Sequence, residues 1–154
     1  MPKPPSALEA LAVTARIGTG YPPPLDAPVK ARSKRLLGDA FGLTQFGVNL
    51  TTIPPGCWSA QRHWHASEDE FVYIVSGTLI LVDDAGEHPL GPGMCAGFKA
   101  GAANGHHLVN RSGEPATYIE IGTRVPSDRV TYPDVDLKAE KDAGGPWRFG
   151  PKGG

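Results

Sequence analysis

The stretch His63-Trp64-His65-Ala66-Ser67-Glu68-Asp69-Glu70 gathers side chains that ligate metals into eight residues. On an extended strand, side chains alternate between faces, so His63 and His65 point one way while Arg62 and Trp64 point the other. Two imidazoles on one face can chelate a single ion. A carboxylate from the next strand, reached across a short turn, would supply a third corner. Glu68, Asp69 and Glu70 are all candidates for that carboxylate. Alone, a His-x-His pair is more often ordinary packing than a metal site, and an acidic turn is more often simply solvated. The case therefore depends on what the flanking elements do with these residues.

Those elements read as short β-strands. Runs at Gln45–Ile53, Glu70–Ser76, Thr78–Asp83, Met94–Phe98, His107–Asn110 and Thr117–Gly122 are rich in β-branched and aromatic residues. Turn signals separate them: Pro54-Pro55-Gly56, Ser76-Gly77, Asp83-Asp84-Ala85-Gly86, Gly91-Pro92-Gly93 and Ser112-Gly113. Close strand spacing without intervening amphipathic helices predicts an antiparallel sandwich or barrel. The run Phe71–Val75 is apolar at every position, so both of its faces should be covered, one by the core and one by a second subunit or the N-terminal arm. Residues 1–44 are expected to form an irregular arm. It would hold a short capped helix from Ser6 and Glu9, an extended stretch at Tyr21-Pro22-Pro23-Pro24, and a basic patch of Lys30, Arg32, Lys34 and Arg35. That patch reads as a solvated turn or as a subunit or anion contact. Residues 45–125 should form the barrel, and the polar residues 126–154 a tail wrapping its surface.

The spacing around the first site resembles the first motif of the cupin superfamily, which runs Gly, His-x-His, Glu, Gly. Gly56, His63, His65, Glu70 and Gly77 fill it, with one extra residue between Gly56 and His63. The second cupin motif is similar to Gly93…Gly101…His106…Asn110, with Lys99 in place of the usual proline and two extra residues before the histidine. The resemblance covers roughly residues 45–122, and the surrounding sequence is similar to small single-domain bacterial cupins, some of whose relatives are labelled sugar-phosphate isomerases. It implies an all-β fold, a double-stranded β-helix or jelly roll, generally assembled as a homodimer. It also implies metal ligands His63, His65, Glu70 and a later histidine: His106 by spacing from Asn110, with adjacent His107 as the alternative.

Three imidazoles and a carboxylate suit one divalent transition metal, whether Zn, Fe, Mn, Ni or Co. Such a centre serves an isomerase or a dioxygenase acting on a polar small molecule, such as a sugar or hydroxy-carbonyl compound. It serves equally a non-catalytic metal-dependent binding or sensor module. Gln45, Asn49, Tyr73 and Asn104 are candidate pocket residues beside the motifs, with Lys99, Glu120 and Arg124 as further polar candidates. A net charge of −1 gives no basic footprint for nucleic acid, and no run is long enough to span a membrane as a helix. Two cysteines, Cys57 and Cys95, make no disulfide framework. With no apolar leader evident, a cytoplasmic protein is expected.

Overall fold

The structure is a computed structural model that describes residues 2–153. In chain order the strands are β1 (Arg16–Ile17), β2 (Ser33–Leu36), β3 (Phe46–Ile53), β4 (Trp64–His65), β5 (Glu70–Ser76), β6 (Leu79–Asp83), β7 (Gly86–Leu90), β8 (Cys95–Phe98), β9 (His107–Val109), β10 (Ala116–Thr123), β11 (Asp128–Thr131), β12 (Lys138–Lys141) and β13 (Arg148–Gly150); one short helix, α1 (Leu37–Ala40), follows β2. They form an antiparallel six-stranded sheet in the order β1-β2-β3-β10-β5-β8, a four-stranded sheet β13-β12-β11-β4 and a three-stranded sheet β7-β6-β9. The protein is all-β, as the strand pattern implied.

Alternation along β5 sets the layers. Val72 and Ile74 are buried, and they meet Ile53 from β3, Leu79 and Leu81 from β6, Leu90 from β7, Leu108 from β9 and Tyr118 from β10 in one core between the large and the three-stranded sheets. Phe71, Tyr73 and Val75 face the other way and stay 39–45% exposed. The N-terminal arm does not cover them, so within one chain this face of the sheet is open.

Turns and buried polar groups hold the ends together. Gly77 has φ +76°, and a Cβ there would lie 2.7 Å from Ala116 Cα and Pro115 O, so only glycine fits where β5 turns toward β6 beside β10. Asn110, fully buried, donates Nδ2 to the carbonyls of Ile53 and Glu114 while its Oδ1 accepts from Ser112. The motif asparagine thus ties the closing strand to β3.

Both flanks carry more structure than their composition suggested. The basic stretch Ser33–Leu36 is a sheet strand, with Lys34 opposite Thr51. The polar segment after Val125 supplies β11, β12 and β13, and Val130 and Thr131 pair with His65 and Trp64. Tyr21 and Val29 from the arm form a second core with Val130, Tyr132, Leu137 and Ala139 from this segment. The helix expected from Ser6 and Glu9 is only a single 3-10 turn at Ala10–Ala12, without a side-chain cap. Leu11 stays 73% exposed, so no apolar stripe rewards a longer helix. The carbonyls of Leu11 and Val13 accept from Arg35 Nη1 instead.

Candidate metal centre

Strand parity places His63 and His65 side by side, their rings 5.3 Å apart. On the opposite face Arg62 clamps the strand from outside, gripping Asp134 through Nε and Nη2 at 2.8 Å each and reaching the carbonyl of Gly105. A backbone bridge between His63 and His106 brings the third imidazole alongside. Glu70 opens β5 on the same inward parity as Val72 and Ile74.

Three imidazoles surround one oxygen of Glu70. Glu70 Oε1 lies 3.0 Å from His106 Nε2, 3.4 Å from His65 Nε2 and 3.6 Å from His63 Nε2. The Glu70-to-imidazole distances are close to those of ligand atoms about 2.1 Å from a shared ion, which lie roughly 3.0 Å apart in octahedral and roughly 3.4 Å apart in tetrahedral geometry. His63, Glu70 and His106 offer atoms all within 4.8 Å of one another, whereas His65, though near Glu70, groups with Glu68 and Asp128.

Outer partners fix each ring in the orientation a metal requires. His63 Nδ1 is 2.8 Å from the Gln61 carbonyl, His106 Nδ1 is 3.1 Å from the Asn104 carbonyl, and His65 Nδ1 is 2.6 Å from Asp128 Oδ2. Each partner can only accept, so each Nδ1 carries a proton and each ring presents its Nε2 inward toward Glu70. Phe98 stacks flat on His106 at 3.5 Å. Burial disfavours charge on both His63 and Glu70, yet their mutual contact prevails. The Glu70 carboxyl is held well below the ordinary carboxylate range by His106 and His63, while Glu70 raises His63.

His107 points elsewhere. Its Nδ1 donates to the Ala60 carbonyl at 2.8 Å, its ring packs edge-on against Trp58, and burial pushes its pKa down. A second group, His65, Glu68 and Asp128, also has metal-ligating composition. Here, however, Lys141 Nζ occupies Glu68 at 2.6 Å, and Asp128 is already bound to His65 and to the Ser67 N–H at 2.7 Å. These acids serve as supports for His65.

The pocket candidates divide. Asn49 donates to Glu120 Oε1 at 2.9 Å on the inner wall. Asn104 accepts from Asp84 N–H and donates to Asp83, lining a smaller neighbouring cavity with Trp64, Phe98 and His106. Gln45 is exposed, its carbonyl taken by Arg124 N–H, and Tyr73 lies on the outer face, so neither reaches the cluster. A cavity of about 290 Å³ is walled by the His/Glu cluster, by Arg32, Lys34 and Glu120, and by aromatic rings including Tyr132 and Trp147. Arg32 and Lys34 stood in the basic patch, but nothing there marked a strand that would sort them from Lys30 and Arg35. Asp128 and Trp147 had none, because their strands were read as a tail.

A family model for the cupin domain matches residues 49–122. The structure of a cupin-superfamily sugar phosphate isomerase from Silicibacter pomeroyi is 48% identical, covering 96% of this chain and 94% of its own, with a TM-score of 0.91. The chain belongs to the cupin superfamily. A second structure, from Acidithiobacillus ferrooxidans and provisionally named a sugar phosphate isomerase, is 33% identical over 79% of this cupin and 77% of its own chain, with a TM-score of 0.73. A polyketide cyclase from Streptomyces resistomycificus, 21% identical with a TM-score of 0.63, shares the fold. No curated protein matches the sequence. Among the described residues no helix of this cupin is long and apolar enough to cross a membrane.

Proposed function

We propose that this cupin is a metalloenzyme that isomerises a small hydroxy-carbonyl compound, of the sugar-phosphate type, at a mononuclear centre held by His63, His65, Glu70 and His106. The observation that carries the reading is the convergence of three Nε2 atoms on one Glu70 oxygen, with every Nδ1 already satisfied. A divalent transition metal there supplies Lewis-acid polarisation of a carbonyl. Isomerisation is preferred to oxygen chemistry because relatives at 48% and 33% identity carry the isomerase name.

The reaction also needs a group that moves a proton between adjacent carbons. Glu120 suits that task. Its Oε1 is fixed by Lys34 at 2.7 Å, Asn49 at 2.9 Å and Thr51 at 3.3 Å, whereas Oε2 has only a long 3.5 Å contact to the Tyr118 hydroxyl. Burial alone would raise its pKa, but Lys34 outweighs burial and holds the carboxyl below its ordinary value, ionised at neutral pH. Such a carboxylate takes the proton from the hydroxyl-bearing carbon beside the carbonyl and returns it to the former carbonyl carbon, while the hydroxyl proton passes to the former carbonyl oxygen, so no external oxidant or reductant is needed.

The test is metal analysis of untagged protein and of His63→Ala, with aldose and ketose phosphates incubated in D2O and followed by proton NMR. One metal per chain in wild type, lost in the variant, with deuterium entering the carbon next to the carbonyl, is the expected result. Equal and negligible metal in both proteins would refute the centre; stoichiometric metal without exchange on any phosphate would refute the reaction. We also propose that a second copy covers the open face of Phe71, Tyr73 and Val75, giving a homodimer.

A further inference from the structure

The basic run Lys30, Arg32, Lys34 and Arg35 plays no part in the metal centre, yet strand geometry sorts it cleanly. Lys30 is exposed, and Arg35 reaches out to the carbonyls of Leu11 and Val13. Arg32 and Lys34, two residues apart and hence on one face, both line the cavity that holds the His/Glu cluster.

Setting cations in a cavity wall is costly unless something there uses their charge. The Lys34 side chain is 27% exposed and gives one ammonium proton to Glu120 Oε1 at 2.7 Å. Among the described residues it meets no second acceptor, which leaves two of its three donors free. Arg32 gives Nη1 to the Ser59 carbonyl and Nη2 to the Gly18 carbonyl, both neutral, so no carboxylate is paired with it. Its Nε is buried without an acceptor. Glu120 touches Lys34 alone, and the cavity's other carboxylate, Glu70, is engaged by the imidazoles, so among the described residues Arg32 has no carboxylate in hydrogen-bond contact.

We propose that Lys34, reinforced by the fixed charge of Arg32, is the docking point for an oxyanion, phosphate or carboxylate, carried by the ligand. The other end of that ligand then lies toward the His/Glu cluster. This rests on the reading of the cavity as the ligand site of the metal centre. Through Oε1, Glu120 also holds the Lys34 ammonium in place, which leaves the ammonium's remaining donors for the incoming anion.

The experiment is isothermal titration of metal-free and zinc-loaded protein with inorganic phosphate and, separately, with acetate. Wild type should bind at least one of them saturably even without metal, and the preferred anion tells which oxyanion the subsite takes. Lys34→Met combined with Glu120→Gln removes both charges together and leaves no stranded carboxylate; it should weaken that binding about tenfold or more, the loss of a charge-assisted hydrogen bond. Lys34→Arg should retain most of it, and Lys30→Met all of it. No binding of either anion by wild type, or undiminished binding by the double variant, would overturn the proposal. Anion binding that depends on Lys34 in a protein that takes up no zinc would refute the metal centre and leave the subsite standing.

Discussion

Replacing Asp128 with Asn tests whether the C-terminal sheet is part of the metal centre. The Asp128 side chain is fully buried and accepts twice, from His65 Nδ1 at 2.6 Å and from the Ser67 N–H at 2.7 Å. Asn has nearly the same shape but only one accepting oxygen, so its NH2 must face one of these two donors. Either His65 loses the partner that fixes its tautomer, or Ser67 loses a cap for its backbone N–H. A hydrogen bond to a charged group contributes about 1.5–3 kcal/mol, and loss of an outer-shell partner lowers metal affinity about 10- to 100-fold, or about 1.4–2.8 kcal/mol. Asn is also uncharged, so even when its oxygen stays on His65 Nδ1 that contact loses its charge assistance while Ser67 loses its acceptor; zinc affinity and stability should therefore fall together in Asp128→Asn. Zinc affinity, measured by competition with a chromophoric chelator, should fall by that factor, and the urea midpoint of the metal-free protein should drop. Wild-type zinc affinity in a folded Asp128→Asn protein would show that His65 needs no such support and refute the reasoning.

His106→Ala should abolish stoichiometric zinc binding. His107→Ala should keep it and lose only about 1–3 kcal/mol of stability, since its hydrogen bond to Ala60 and its packing on Trp58 are structural; the same chelator competition and urea melts check both. Glu120, with its carboxyl depressed in the folded state, contributes stability above its unfolded value of 4.5 that is lost as pH falls through the lower folded value. Glu120→Gln should therefore flatten the acid limb of a stability-versus-pH curve measured by urea melts between pH 3 and pH 6. Gly77→Ala should cost more than about 1 kcal/mol, because a positive φ and a 2.7 Å approach to the backbone of Ala116 act together, and thermal melting would show it. Phe71→Glu with Tyr73→Glu should leave a monomer by light scattering, with zinc binding intact, if a second copy covers that face.

Much of the centre was legible because strand periodicity is local. The i, i+2 spacing of His63 and His65 needs only an extended backbone to put two rings on one face, and Glu70 follows after a short turn. The same rule sorts Arg32 from Arg35, although a basic patch in a proline-rich arm gave no reason to expect a strand there. Gln45 and Tyr73 show the limit. Even spacing or proximity in sequence does not say which end of a strand frays into solvent, nor which face of β5 meets the core. The short helix after Ser6 had sequence signals at its start, but among the described residues nothing buries Leu11, which stays 73% exposed.

The amino-acid sequence by itself determined the all-β class and most strands of residues 45–122, the pair of histidines on one face and the acidic residues that follow them, because each depends on periodicities of two and on turn residues a few positions apart. Tertiary structure alone decided the rest. His106 rather than His107 joins the cluster because a bridge to His63 sets which way that strand faces, and Asp128 stands behind His65 because a polar C-terminal segment pairs with the histidine strand. Those pairings join residues more than forty positions apart, and no local pattern records which distant strand will come to lie beside which.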